Sequence, residues 1–415
     1  MTYVQALQCR ECSRRVDVAA THACGFCFGP LEVVYDYDAM RGVVTRERIA
    51  AGPPTLWRYA DLLPVLDGPH DAAPVDLGAG FTPLVPAPRL GSAVGLDDLW
   101  IKNDTLNPTG AFKDRVVSVA LTAARRLGLD TAACASTGNL AQSVAAHAAA
   151  SGMRAIVLVP SDLEQTKILA TAVYGPTLVA VKGTYDDVNR LCGELADAYG
   201  WAFVNVNVRP FYAEGSKTIG FEIAEQLGWR LPDHVVAPMA SGAMLVKIEK
   251  AFRELVDLEL VSDRACAVSG AQASGCAPIT AAYKDGGDSI MPVLPDTIAK
   301  SLAIGDPADG YYALDAVGRS GGAMEDVSDA EIIDGIKLLA GTEGIFGETA
   351  AGVTVAALRK LVAQGRIGTG ERTVAVVSGT GLKTTDAVAP TVGPTFEITP
   401  SLGDFRSALS LQEAS

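Results

Sequence analysis

The sequence predicts an α/β protein with parallel-rich sheets and a small cysteine-bearing module at its N-terminus. Three observations predict it. From Leu99 onward, short apolar runs alternate with stretches of helical periodicity, the pattern of parallel strands covered by helices on both faces. Near the N-terminus, four cysteines form two Cys-x-x-Cys pairs. The 415 residues exceed one typical domain, so two or three folding units are expected.

The elements follow in chain order. Residues 1–36 hold the paired cysteines and the run Leu31-Glu-Val-Val-Tyr-Asp-Tyr37, and form the small module. Prolines then cluster between Pro53 and Pro88, which predicts an ordered, extended wrap over residues 51–89 rather than helix. A strand is expected at 99–102 and a helix at 114–127, whose Val116, Val117, Ala120, Leu121, Ala124 and Leu127 share one face. A second helix at 140–150 stops at Ser151-Gly152 and feeds a buried strand at 155–159. Further apolar strands are expected at 177–181, 202–206, 234–238, 265–270 and 373–377. The polar, proline-containing residues 391–415 form a surface arm.

Composition narrows the function. Hydrophobic residues at 49% and charged residues at 20% describe a globular protein with a large core. A net charge of −14 opposes nucleic acid and anionic membrane. No segment is long and apolar enough to cross a bilayer, and the N-terminus lacks a basic region followed by an apolar stretch, so the cytoplasm is expected. In that reducing compartment the scattered Cys134, Cys192, Cys266 and Cys276 are expected as small buried hydrophobes.

Cys9, Cys12, Cys24 and Cys27 have the spacing of two zinc knuckles. Each Cys-x-x-Cys turn presents two thiolates on one side, and two turns complete a tetrahedron. Four thiolates leave no open coordination position, so a structural zinc ribbon is expected.

The densest chemistry lies at Asn107-Pro-Thr-Gly-Ala-Phe-Lys-Asp-Arg115, where Lys113 falls at the junction of a turn and a helix. The positive end of a helix dipole favours the uncharged amine that condenses with aldehydes. The run resembles the cofactor-lysine motif of fold-type II pyridoxal-phosphate enzymes, above all threonine synthases, where Asn-Pro-Thr-Gly-Ser-Phe-Lys-Asp-Arg is usual. Three later segments resemble the same family in order: Ala135-Ser-Thr-Gly-Asn139, Glu214-Gly-Ser-Lys-Thr218 and Ser378-Gly-Thr-Gly-Leu-Lys383. The resemblance spans about residues 75 to 390.

That resemblance implies a tryptophan-synthase-β-like fold. A large cofactor domain takes residues 37–130 and 215–390, a small substrate domain 131–214, a zinc ribbon 1–36 and a C-terminal arm 391–415. It implies pyridoxal 5'-phosphate bound covalently to Lys113, Asn139 beside the phenolic oxygen and the Ser378 hydroxyl at the ring nitrogen. Ser136 and Thr137, at a helix N-terminus, would hold the substrate carboxylate. By position, Ala240, Ser241, Gly242, Ala243 and Met244 would enclose the cofactor phosphate, although the family loop is richer in glycine.

The implied reaction converts O-phospho-L-homoserine and water to L-threonine and phosphate by γ-elimination and β-hydration. The alternative is a β-eliminating or β-replacing enzyme, such as a serine/threonine dehydratase or a sulfhydrylase-like synthase. Where the family places an arginine for the substrate phosphate, this chain has Tyr212. Asn207 and Arg209 remain available for that phosphate, with Lys182 and Lys217 to share the work. Glu348, in the family-like run Glu343-Gly-Ile-Phe-Gly-Glu-Thr349, is expected on the far wall of the site. A homodimer acting on a small amino acid, without nucleic-acid or membrane partners, is implied.

Overall fold

The computed structural model of the protein describes residues 2–67, 73–136, 138–161, 165–182 and 185–410. Its backbone forms three sheets. The largest has six strands in the order Met324–Val327, Ala267–Ala273, His234–Pro238, Thr373–Val377, Leu99–Asn103 and Leu84–Pro86. All neighbours are parallel except the edge strand Leu84–Pro86. The second sheet, Thr177–Val181, Arg154–Pro160, Thr131–Ala135 and Ala202–Phe203, is wholly parallel. Parallel pairing sends the C-terminal ends of neighbouring strands to one edge, where open α/β sheets bind ligands.

The third sheet is the antiparallel N-terminal module, with Val4–Cys9 between Arg15–Val16 and Leu31–Tyr35. Alternate residues of Leu31–Tyr35 are buried. Leu31, Val33 and Tyr35 thereby enter the same apolar cluster as Val116 and Leu245 of the large sheet's helices. The module is docked onto the main core through one face of that strand.

Two expectations are corrected. The proline-rich stretch contains a 3-10 helix, Leu56–Leu62, begun by Thr55, whose hydroxyl accepts the Trp57 N–H, and an α-helix, Pro88–Val94. Pro88 opens that helix where a missing N–H is harmless. The expected strand at 202–206 is only Ala202–Phe203. There the Asn207 amide accepts from Phe203 N (2.9 Å) and donates to Trp201 O (2.8 Å), closing a turn. The strand Met324–Val327 and the C-terminal helix Leu402–Ala408 had no counterpart in the sequence reading. Among the described residues no helix is long and apolar enough to cross a membrane.

Candidate functional site

Three adjacent parallel strands, Leu99–Asn103, Thr373–Val377 and His234–Pro238, deliver three loops to one edge of the large sheet. The first carries the lysine. Gly110 N donates to Asn107 O (2.7 Å), and Gly110 has φ +74°, a value that glycine tolerates. A Cβ there would stand 2.8 Å from the Thr380 methyl, so space demands glycine as well. Asp114 then locks the turn, accepting from Thr109 N (2.7 Å), Thr109 Oγ1 (2.8 Å) and Ser143 Oγ (2.6 Å).

Successive residues at the start of the helix Lys113–Arg126 go to different work. Arg115 is fully buried between two carboxylates: Nε and Nη2 donate to Asp104 (2.7 and 2.8 Å), and Nη2 also donates to Glu222 (2.8 Å). Lys113 turns the other way and is half-buried. Its Nζ donates to the Tyr212 hydroxyl at 2.9 Å and lies 4.5 Å from the Phe112 ring centroid.

The second loop is laced to the first. Phe112 N donates to Ser378 O (2.8 Å) and Thr380 N to Gly110 O (2.9 Å). Glu348 N donates to Gly379 O (2.9 Å), bringing in the loop before the helix Thr349–Ala363. The Glu348 side chain is a meeting point. It accepts from Ser378 Oγ (3.1 Å) and from Asn139 Nδ2 (2.9 Å), the first residue of the helix Asn139–Ser151 on the small sheet. Burial raises the Glu348 carboxyl above its ordinary range, opposed by the Asn139 hydrogen bond and the charge of Lys383. Burial also lowers the Lys383 ammonium, which donates to Gln142.

Ser136, Asn139 and Ser378 thus stand on loops facing this edge, with Ser136 Oγ accepting from Gly138 N (3.2 Å). Thr137 lies outside the described residues.

The third loop, Ala240-Ser-Gly-Ala-Met244, opens the helix Ala243–Asp257. Gly242, at φ +97°, would meet Asp309 O at 3.0 Å through any Cβ. Asp309 braces the loop further: its N–H donates to Ser241 O (3.1 Å), and its carboxylate accepts from Ser241 Oγ (3.4 Å). The first turn of such a helix presents N–H groups without intrahelical acceptors, a ready anion site.

The residues around the predicted substrate-phosphate site are placed differently from one another. Both polar ends of Asn207 serve the turn at 201–203. Arg209 pairs with Asp309 at 2.5 Å. Lys217 is fully buried and spends its ammonium on Glu214 (2.6 Å), Glu254 (3.0 Å) and Leu62 O (2.8 Å), which removes it from substrate work. The contact of Tyr212 with Lys113 is one that the sequence does not announce. The two residues are 99 positions apart in the chain, and neither composition nor periodicity links them.

In the N-terminal module, the sulfurs of Cys9, Cys12, Cys24 and Cys27 all lie within 4.8 Å of one another. Cys9 Sγ is 3.4 Å from Cys27 Sγ, and Cys12 Sγ is 3.8 Å from Cys24 Sγ. A tetrahedral zinc with bonds of about 2.3 Å needs sulfurs about 3.8 Å apart, so the donor set fits that ion. Cys12 N points at Cys9 Sγ (3.5 Å) and Phe26 N at Cys24 Sγ (3.4 Å), contacts that favour thiolates.

Residues 75–379 match the family described as "Pyridoxal-phosphate dependent enzyme". The threonine synthase of Methanocaldococcus jannaschii is 39% identical over 92% of this chain and 93% of its own. That of Methanosarcina acetivorans is 37% identical over 91% and 92%. The threonine synthase of Mycobacterium tuberculosis is 34% identical over 82% and 92%. In fold, the chain is similar to threonine deaminase isoform 2 from Solanum lycopersicum, with a TM-score of 0.62 and 22% identity over 80% of this chain and 87% of that one.

Proposed function

Since the chain belongs to the pyridoxal-phosphate-dependent enzymes and, within them, to the threonine synthases, we propose that it converts O-phospho-L-homoserine and water to L-threonine and phosphate. The observation that carries the reading is the lacing of the Lys113, Ser378 and Glu348 loops along one sheet edge, in a chain 39% identical to a threonine synthase.

The residues fit pyridoxal phosphate. Lys113 offers the primary amine for covalent attachment, and the N-terminus at Gly242 offers backbone donors and a positive dipole end to the phosphate. Asn139 has two amide N–H groups and gives one to Glu348, leaving one for the phenolic oxygen. Ser378, whose hydroxyl now donates to Glu348, would offer a neutral hydroxyl to the ring nitrogen. When bound, the cofactor supplies an electron sink for charge left on the substrate carbons.

The chain's own groups do the rest. With substrate bound, the Lys113 amine would take the proton from the substrate α-carbon and return protons to the neighbouring carbons. The backbone N–H groups entering the Asn139 helix, with Ser136 and Thr137, hold the substrate carboxylate. Incubation of the purified holoenzyme with O-phosphohomoserine is expected to release threonine and phosphate in equal amounts. Ammonia and a keto acid from threonine or serine, with no phosphate release, would instead place the chain with the β-eliminating enzymes.

The four thiolates are proposed to hold one structural zinc per chain, with Cys9 and Cys24 buried at the junction with the core. Zinc binding supplies about 10 kcal/mol or more of folding free energy in isolated finger peptides. Stripping the metal with a strong chelator is therefore expected to lower the melting temperature by several degrees or more, with zinc but not magnesium restoring it. A zinc-free preparation that melts like the loaded one contradicts this.

A homodimer in the cytoplasm is part of the same proposal, supported by the family resemblance.

A further inference from the structure

We propose that Tyr212 is a catalytic residue: its hydroxyl oxygen accepts the hydrogen bond of the Lys113 amine while that amine carries protons, fixing the amine's position and stabilising its charged form. The inference rests on Lys113 as the cofactor lysine and goes beyond it.

The contact is direct, Nζ to hydroxyl at 2.9 Å. The partner's chemistry suits the task. A carboxylate at that distance would favour the ammonium strongly and oppose the cycling of a proton on and off the nitrogen. A neutral phenol gives a charged donor a hydrogen bond of moderate strength. The faces of Phe112 and Tyr212, with centroids 4.5 and 5.6 Å from Nζ, add attraction for the cation without supplying a base.

The helix that carries the phenol, Arg209–Glu214, is anchored at both ends. Immediately after the helix, Gly215 lies against the lysine's own helix: a Cβ there would be 2.6 Å from Val116 Cα and 2.7 Å from Arg115 O. Glu214, two residues after Tyr212, is fully buried and receives Tyr35 Oη (2.8 Å), Lys217 (2.6 Å), Lys247 (2.6 Å) and Lys250 (3.2 Å). At the other end, Arg209 is tied to Asp309. A helix anchored this way sets the half-buried Tyr212 beside Lys113.

The test is the Tyr212→Phe holoenzyme, which lacks one oxygen atom. Borohydride-trapped cofactor at parental stoichiometry should show that loading is intact. With O-phosphohomoserine, kcat is expected to fall about 10- to 100-fold, the scale of one hydrogen bond to a charged group. KM should move less than about threefold, since the substrate itself is not the partner. The α-deuterium isotope effect on kcat should rise, because proton removal by Lys113 becomes the slow step.

A kcat within about twofold of the parent, or a loss carried by KM with an unchanged isotope effect, overturns the proposal. Should the Phe variant lose its covalent cofactor, Tyr212→Gln, which restores an oxygen acceptor, must recover both loading and turnover; failure to do so overturns it as well. A parent enzyme inactive on O-phosphohomoserine sinks the threonine-synthase reading alone. In that case the Tyr212 effect is read from α-proton exchange of bound L-serine in deuterated water, which needs only the lysine chemistry.

Discussion

A Lys113→Ala variant is expected to form threonine at least roughly 10⁴-fold more slowly than the parent chain, with its fold intact. The side chain provides both the covalent anchor and the group that moves protons, and positioned acid–base catalysis alone is worth about 10²–10⁴-fold. Its removal does not disturb the loop, because the loop is built by its neighbours. Asp114 holds Thr109, Gly110 provides the turn, and Phe112 and Thr380 make the backbone bonds that join the two loops. Cofactor should still associate through the phosphate but wash out on dialysis. Steady-state assays beside a melting curve check this: residual turnover above about 1% would mean that another group does the work assigned to Lys113.

The second large effect concerns stability. Arg115→Leu is expected to destabilise the chain by about 3–5 kcal/mol, the cost of leaving buried carboxylates without their partner. Asp104 and Glu222 are both fully buried, and Lys102 at 2.6 Å from Glu222 is the remaining cation in the cluster. The effect has a pH signature. Burial pushes the Glu222 carboxyl up, but Arg115 and Lys102 outweigh it and hold the group at about 2, below its ordinary 4.5. A depressed carboxyl stabilises the folded state above pH 4.5 and loses that contribution as the pH falls toward 2. Without Arg115 the depression largely goes, so the gap between variant and parent should narrow between pH 4.5 and 2. Urea unfolding across that window measures it. A gap that stays constant would mean that the cluster is held by packing rather than by charge.

Much of this was legible from residues, for a physical reason. Strands buried on both faces must be apolar throughout, so 234–238 and 373–377 announced themselves and agree with the observed strands; the equally apolar 177–181 is also a strand, but it forms the exposed edge of its sheet. The lysine loop was legible because its geometry needs particular residues: a positive-φ Gly110, a hydroxyl at Thr109 and a carboxylate at Asp114 to receive it.

What was not legible depends on contacts between distant parts of the chain. Asn207 looked like a ligand group, but its amide closes a turn. Lys217 looked available, but Glu214 and Glu254 hold it in the core. Tyr212 looked like a departure from the family pattern, and only the packing of Gly215 on the lysine helix shows why a phenol at that place reaches Lys113. Glu348 was expected on the far wall, and its link between Asn139 and Ser378 across two sheets could be seen only in the folded chain.

The most direct measurement is where the cofactor attaches. Holoenzyme treated with borohydride, digested and analysed by mass spectrometry should carry one phosphopyridoxyl group per chain, on the peptide containing Lys113. The other site lysine, Lys383, beside Gln142, is the informative control. Label on Lys383 or any other lysine, or no label in protein reconstituted with pyridoxal phosphate, would contradict the account.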